Sequence, residues 1–170
     1  GMPLEFGPRI SPHALVREMR AGRLAAGAFT DDTEMAMALA ESLLAHHPLN
    51  PADLAQRFVA WYHTNPPDIG IHTSRVLARI DQGEKWQQAV ETVQSVKSDS
   101  AGNGSVMRCW PVALAYHNSL DLLLTDSRLQ SRVTHPHQEC QAGSALVNAV
   151  IYYLLQGQAP KEAIAQALDV

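Results

Sequence analysis

The sequence predicts an all-α fold, a compact bundle of orthogonal and antiparallel helix pairs. Apolar residues recur at helical spacing along most of the chain, and no stretch shows the sustained two-residue alternation that is typical of strands. Proline, glycine and capping residues divide this pattern into segments of helical length. Because no repeat or linker interrupts the pattern, we expect residues 1–170 to form a single domain.

Local start and stop residues set the bounds that we expect for the helices. Asp31 and Glu34 have the spacing of a capping box at the start of the second helix. Pro111 should kink the sixth helix or mark its late start, and Gly157 is a typical residue after a helix end. The expected helices cover residues 11–20, 31–46, 51–64, 72–81, 85–96, 105–117, 126–133, 138–156 and 160–168.

Composition narrows the class of protein. Hydrophobic residues make up 46% of the 170 residues and charged residues 18%, which is typical of a soluble globular domain. The net charge of −4 and the lack of a basic run give no indication of nucleic-acid binding. No apolar run approaches the roughly 18 residues of a membrane-spanning helix, so we expect no membrane contact. Cys109 and Cys140 form no disulfide framework, and we expect a cytoplasmic protein with reduced thiols.

The first candidate site is the Thr-Asp-Asp-Thr segment at residues 30–33, where the second helix begins. Carboxylate and hydroxyl oxygens suit magnesium or manganese rather than zinc. The same residue types are common at helix N-termini, where they satisfy backbone N–H groups and complement the helix dipole. Taken alone, the segment favours the capping interpretation, although a second adjacent acid exceeds what a cap requires.

The second candidate is the Ser-Ala-Gly-Asn-Gly-Ser segment at residues 100–105, which precedes a helix. Glycines let backbone N–H groups approach an anion, and a helix N-terminus favours negative charge, so a phosphate would fit there. The Gly-Lys-Ser/Thr ending of a Walker loop is absent. Taken alone, an ordinary glycine-rich turn capped by Ser105 is the preferred interpretation.

The third candidate is the group His135, His137 and Cys140. These residue types bind zinc, but their spacing matches no tetrahedral motif and no second ligand pair exists in the sequence. Two interpretations remain open. Either His135 points into a cleft and donates to a sugar hydroxyl, or the segment is a helix boundary with an exposed His137.

In this order the three segments resemble the ADP-ribosylglycohydrolase family, and in particular its members similar to dinitrogenase reductase-activating glycohydrolase. Residues 27–35 resemble the family's aromatic-Thr-Asp-Asp-Thr segment, and residues 102–108 its Gly-Asn-Gly-x-x-Met-Arg segment. Residues 134–135, Thr-His, resemble the third segment, and residues 1–6 the end of the first. Three ordered segments are more specific than any one of them. Together they favour a functional site over the helix-cap and ordinary-turn interpretations given above.

The resemblance implies an all-α fold with a binuclear magnesium site, manganese being the alternative ion. Thr30, Asp31 and Asp32 would be metal ligands, and Glu5 and Asp32 would act in catalysis. The residues that would contact ADP-ribose are Ser100, Gly102, Asn103, Gly104, Ser105 and His135. The implied reaction is magnesium-dependent hydrolysis of the glycosidic bond between ADP-ribose and a protein side chain or small molecule. Its partner is an ADP-ribosylated protein or an ADP-ribose derivative.

Two departures from the family pattern bear on activity. An upstream Gly-Asp-x-Gly segment and a C-terminal Asp-x-Asp-Thr segment are absent, and Asp169 is not followed by that pattern. We therefore expect the first and last helices of the family fold to be missing and magnesium binding to be weak or absent. The absence of these two segments is compatible with a fragment, with one half of a split gene and with a degenerate relative of the family. Apolar surface left uncovered would favour self-association or a missing C-terminal segment.

Three hypotheses follow. The chain is a hydrolase of ADP-ribosyl groups or the major part of one, a catalytically incomplete module that binds ADP-ribose or a nucleotide, or a helical scaffold unrelated to the family. The first two require that the acid pair, the glycine segment and His135 face a shared cleft. The third is favoured if they lie far apart.

Overall fold

The computed structural model describes residues 17–19, 21–22 and 24–170. Over these residues the fold is all-α, as predicted, with one 3-10 turn at Asn103–Ser105 and no strand. The helices are α1 (Asp31–Ala45), α2 (Pro51–Tyr62), α3 (Ile71–Asp81), α4 (Trp86–Val96), α5 (Pro111–Ala115), α6 (Leu120–Arg132), α7 (Gln138–Leu155) and α8 (Pro160–Leu168). Glu5 and most of the predicted helix 11–20 lie outside the described residues. The described part of that segment, residues 17–19, is not helical.

Two predicted helices have different bounds. For the segment 105–117, a helix that starts at residue 105 is wrong, whereas the late start at Pro111 is confirmed, because α5 begins at Pro111, where a missing N–H costs nothing. The helix predicted over residues 126–133 is wrong at its start, since α6 begins at Leu120. Adjacent leucines obscure the helical period there, and packing selects Leu123, which is fully buried.

The predicted capping box at the start of α1 is also wrong. Thr30, not Asp31, is the N-cap residue. The Glu34 carboxylate accepts a hydrogen bond of 2.7 Å from the Trp61 indole nitrogen instead of bonding back to the cap. Glu34 therefore joins α1 to α2. The predicted helix end at Gly157 is confirmed, with the φ of +83° that glycine tolerates.

Helices that follow one another in the chain pack against each other, as in α1 with α2, α3 with α4, α6 with α7 and α7 with α8. The short helix α5 contacts α1, α6 and α7, so it connects the first helix with the two that follow α5. The 3-10 turn packs against α7. The largest fully buried apolar side chains are Met35, Leu39, Leu54, Phe58, Val76, Leu77, Val112, Tyr116, Leu123 and Val133.

Apolar side chains also remain at the surface of the last two helices. They are Leu146, Val147, Leu154, Leu155, Ile164 and Leu168. Self-association through these side chains stays a prediction.

None of the described helices is both long enough and apolar enough to cross a bilayer.

Candidate active site

The glycine turn, defined here as residues 102–105, is tied to the surrounding helices at both ends. At its first residue the backbone oxygen accepts a hydrogen bond of 3.2 Å from the Cys140 thiol. At its last residue, Ser105 is fully buried, and its hydroxyl lies 2.8 Å from that of Ser131. The Gln130 side-chain amide donates to the Ser105 backbone oxygen at 3.1 Å. The turn is thus fixed by side chains of α6 and α7.

The imidazole of His135 lies directly beneath this turn. Its residue is only 5% exposed. A β-carbon added to Gly104 would lie 2.6 Å from His135 Cε1 and 2.8 Å from Nε2, whereas one added to Gly102 would lie 3.7 Å from Nε2. Only glycine at position 104 allows the backbone to approach the ring this closely. The structure thus brings together Gly102, Gly104, Ser105 and His135.

His135 is held as a neutral group. Its Nδ1 lies 2.8 Å from the hydroxyl of Thr134, and its ring centroid lies 4.8 Å from that of His72. Burial lowers the pKa of His135 to about 2, and the nearby charges of Arg108 and His72 act in the same direction. The ring therefore offers a hydrogen bond, not a charge, at neutral pH.

Arg108 is the largest fully buried side chain of the described residues. Its Nη2 donates to the Thr134 hydroxyl at 2.8 Å and to the Gln130 backbone oxygen at 3.1 Å, and its Nε donates to the Gln130 side-chain oxygen at 3.1 Å. The guanidinium carbon lies 4.3 Å from the centroid of the Phe58 ring. Neutral oxygens and an aromatic face therefore surround this cation.

Arg108 also connects His135 with the acidic start of α1. Its Nη1 lies 3.7 Å from the sulfur of Met35, which is on α1 one turn after Asp31. Burial lowers the pKa of Arg108 to about 9, while Cys109 and, to a smaller extent, Asp31 act in the opposite direction. The guanidinium thus stays charged at neutral pH and lies between the two predicted halves of the site.

The acid cluster, defined here as Thr30, Asp31 and Asp32, opens α1. The Thr30 hydroxyl donates to Asp32 at 3.1 Å, and the Asp32 backbone N–H donates to Asp31 at 3.1 Å. Burial and the neighbouring carboxylates of Asp32 and Asp68 raise the pKa of Asp31 to about 7. A cation bound here would relieve this crowding of carboxylates.

The acid cluster fits magnesium in the type of its donors, since hydroxyl and carboxylate oxygens are the ligands of this ion. In number the donors fall short. Over the described ranges, no three His, Cys, Asp or Glu side chains are grouped so that they could hold a metal ion. Water or residues outside those ranges would have to complete the shell.

The side chains considered for zinc have separate contacts. His137 is the N-cap residue of α7, and its Nδ1 accepts from the Glu139 backbone N–H at 3.3 Å. The Cys140 thiol faces the glycine turn, and His135 lies beneath it. The helix boundary at His137 is confirmed, although this residue is only partly exposed. The interpretation in which His135 donates to a sugar hydroxyl stays a prediction.

Of the remaining predicted contact residues, Ser100 precedes the turn and Asn103 is part of it. The Ser100 backbone oxygen accepts from the Gln94 side chain at 3.1 Å. Asn103 is exposed, and its backbone oxygen accepts from Val106 at 2.9 Å. Ligand contacts by residues 100, 102–105 and 135 stay predictions, as does the catalytic role of Glu5, which lies outside the described residues.

Sequence reasoning gave no role to Arg108, His72 or Asp68. A cation inside the apolar run 106–112 was a usable signal, because a charged residue that is buried with its apolar neighbours needs polar partners. His72 and Asp68 gave no local signal. Only the folded chain brings His72 to Thr134, whose backbone oxygen accepts from His72 Nε2 at 2.8 Å.

Known proteins resemble this chain in sequence and in fold. The family model described as ADP-ribosylglycohydrolase matches residues 1–170. The ADP-ribosyl-[dinitrogen reductase] glycohydrolase of Rhodospirillum rubrum is 32% identical over 167 residues, which cover 95% of this chain and 55% of the relative. The ADP-ribosylarginine hydrolase Tri1 of Pseudomonas putida (strain GB-1) is 34% identical over 179 residues, covering 99% of this chain and 46% of the relative.

A solved structure titled ADP-ribosylglycohydrolase-related protein complex superposes with a TM-score of 0.71 at 35% identity, covering 91% of this chain and 50% of that one. The chain thus spans about half the length of the relatives that it matches. Family model, relatives and fold agree, and the chain belongs to the ADP-ribosylglycohydrolase family.

Proposed function

We propose that the chain acts in hydrolysis of the glycosidic bond between ADP-ribose and a modified protein side chain or small molecule. One observation carries the proposal: Arg108 contacts both the helix that bears the acid cluster and the Thr134–His135 pair under the glycine turn. Two chemically distinct half-sites therefore adjoin one buried cation. The relatives named as ADP-ribosyl hydrolases support the same reaction.

The glycine turn is the proposed seat of the phosphates and ribose of ADP-ribose. Glycines at positions 102 and 104 leave the backbone open to close approach by an anion. The buried charge of Arg108, bonded to the Thr134 hydroxyl next to His135, favours a negatively charged ligand at the turn. His135 offers a ring nitrogen at the same place.

The acid cluster is the proposed magnesium site, with Thr30, Asp31 and Asp32 as the residues that would hold the ion. A bound ion supplies positive charge that polarises ribose hydroxyls and water. Asp32 is exposed, and the Thr30 hydroxyl donates to it at 3.1 Å, which supports its assignment as the carboxylate that accepts a proton from an attacking water. The water oxygen bonds to the anomeric carbon as the bond to the leaving group breaks, and the leaving group takes the bonding electron pair and then the proton that Asp32 accepted.

The second candidate function is binding of ADP-ribose or a nucleotide without turnover. The small number of metal-type ligands grouped within the described residues favours it. Under this alternative the glycine turn and His135 bind as above, and the acid cluster contributes nothing to the affinity for ADP-ribose.

Release of ADP-ribose in magnesium buffer decides between them. An ADP-ribosylated arginine peptide is the first substrate to test, because the Pseudomonas putida relative is named for that linkage. ADP-ribosylserine peptide and an ADP-ribosyl ester follow. Asp31→Asn and Asp32→Asn should each lower the rate at least about 100-fold, because they remove a carboxylate from the reacting end.

Asp121→Asn is the matched control, since Asp121 is an exposed acid in the first turn of another helix, α6. Its rate should equal that of the parent chain. Binding of ADP-ribose without release from any of the three substrates would support the second candidate. Equal rates in Asp32→Asn and Asp121→Asn would contradict a catalytic acid cluster.

A further inference from the structure

Arg108, Thr134 and His135 form one buried chain of hydrogen bonds. Arg108 Nη2 lies 2.8 Å from the Thr134 hydroxyl oxygen, and that oxygen lies 2.8 Å from His135 Nδ1. Arg108 and Thr134 are fully buried, and His135 nearly so. Water therefore does not compete for the hydroxyl between them.

The protons in this chain can be assigned from chemistry. A guanidinium has only donors, so the Thr134 oxygen accepts from Arg108. The hydroxyl has one hydrogen, and its other partner among the described residues is His135 Nδ1. If Nδ1 carried a hydrogen as well, the Thr134 hydrogen would be buried without an acceptor, which is costly. Nδ1 therefore accepts, and the neutral ring carries its hydrogen on Nε2.

The opposite ring nitrogen faces the glycine turn. The space that a Gly104 β-carbon would fill is 2.8 Å from Nε2, and the corresponding space at Gly102 is 3.7 Å away. Over the part of the chain that the structure describes, no protein atom accepts a hydrogen bond from Nε2, although Nδ1 is satisfied. The ring thus directs an unused donor at the turn.

We infer that Arg108 and Thr134 are positioning residues that hold His135 as an Nε2–H donor for an oxygen of the ligand seated on the glycine turn. The identity of that ligand as ADP-ribose rests on the proposed function. The assignment of the tautomer does not, because it follows from the hydrogen bonds of the protein itself.

The electrostatic surroundings of His135 also favour a neutral imidazole over an imidazolium. The charged or titratable groups that act on it are Arg108 and His72. His72 Nε2 donates to the Thr134 backbone oxygen at 2.8 Å, which keeps its ring beside His135. Both groups disfavour an imidazolium at His135, so the donor stays neutral while it contacts an anionic ligand.

The test is nitrogen-15 NMR of the imidazole side chains in the chain without ligand, with His135→Gln to assign the signal. We expect the shift of an unprotonated nitrogen at Nδ1 and of a protonated one at Nε2. Thr134→Val removes the hydroxyl and should add the other tautomer, whereas Thr134→Ser should restore the parent pattern. A protonated Nδ1 in the parent chain, or an unchanged pattern in Thr134→Val, overturns the inference.

Calorimetry with ADP-ribose gives the second readout. Thr134→Val should bind about tenfold more weakly, the value of one hydrogen bond, and Thr134→Ser should bind like the parent. Equal affinity in all three proteins contradicts the positioning role. If the parent chain fails to bind ADP-ribose, the proposed ligand is wrong, while the NMR pattern still decides the tautomer.

Discussion

The glycine turn and the acid cluster are held in different ways. The turn is bonded to Ser131, Gln130 and Cys140, and it covers a buried imidazole. In the acid cluster, the Thr30 hydroxyl and the Asp31 carboxylate bond to Asp32, and Asp32 is exposed. One half of the proposed site thus has its geometry before any ligand arrives, while the other consists of crowded carboxylates that a cation would order.

Because the two halves are held differently, substitutions in them should affect different properties. Substitutions beneath the turn should act on folding and ligand affinity, because they disturb a packed network. Substitutions in the acid cluster should act on the reaction, because few other groups depend on those side chains. The predictions that follow start with the largest effect.

Arg108→Ala should have the largest effect on the free energy of unfolding. It removes a fully buried side chain and leaves acceptors on Gln130 and Thr134 without their donor. We expect a loss of about 3–5 kcal/mol in urea denaturation. Asp32→Asn should change the same quantity by less than about 0.5 kcal/mol. Similar losses in both variants would remove the contrast between the two halves.

Gly104→Ala should have the next largest effect, this time on ligand affinity. Its β-carbon would meet His135 Cε1 at 2.6 Å, and Thr134 holds that ring in place. The turn or the ring must shift, and binding of ADP-ribose should weaken about 10- to 100-fold. Gly102→Ala is the comparison within the turn, because its β-carbon would be at ordinary contact distance from His135, 3.7 Å. It should weaken affinity less than Gly104→Ala does, since neither the turn nor the ring has to shift.

The smallest effect is expected for His135, whose imidazole should stay neutral in the folded chain between about pH 8 and pH 5. Burial, Arg108 and His72 lower its pKa from 6.5 to about 2, whereas the unfolded chain takes up this proton near pH 6.5. The unfolded state therefore binds more protons below that pH. The contribution to stability is complete above about pH 6.5 and is lost as the pH falls towards 2.

The carbon-bound ring hydrogens of His135 report this directly by NMR. Their shifts should stay constant between about pH 8 and pH 5 in the folded chain. The same ring should titrate in the chain unfolded by urea, which is the control. A midpoint near pH 6 in the folded chain would show that the ring is not buried beneath the turn as described.

Helix bounds could be predicted wherever a local residue sets them. Helices α2 and α8 begin at Pro51 and Pro160, and α7 is followed by Gly157. The start of α6 could not, because it depends on which of several neighbouring leucines packs inward, and the fold selects Leu123. Packing across the chain, not local sequence, decides that choice.

The glycine turn and the acid cluster were recognisable in the sequence, because each is a short continuous segment. The contacts that connect them could not be predicted from the sequence. The hydrogen-bonding partners of Arg108 lie 22, 26 and 73 positions away in sequence, at Gln130, Thr134 and Met35. The contact of Gly104 with His135 is likewise made only by folding. A sequence shows the groups that need partners, and the fold supplies the partners.

The central claim is that the glycine turn and the acid cluster hold one ligand. Calorimetry of ADP-ribose with and without magnesium tests it in the parent chain, Gly104→Ala and Asp32→Asn. The account predicts that Gly104→Ala weakens binding in both buffers, while Asp32→Asn loses only the increase that magnesium gives. Parent-like binding by Gly104→Ala in both buffers, or a full magnesium response in Asp32→Asn, would contradict it.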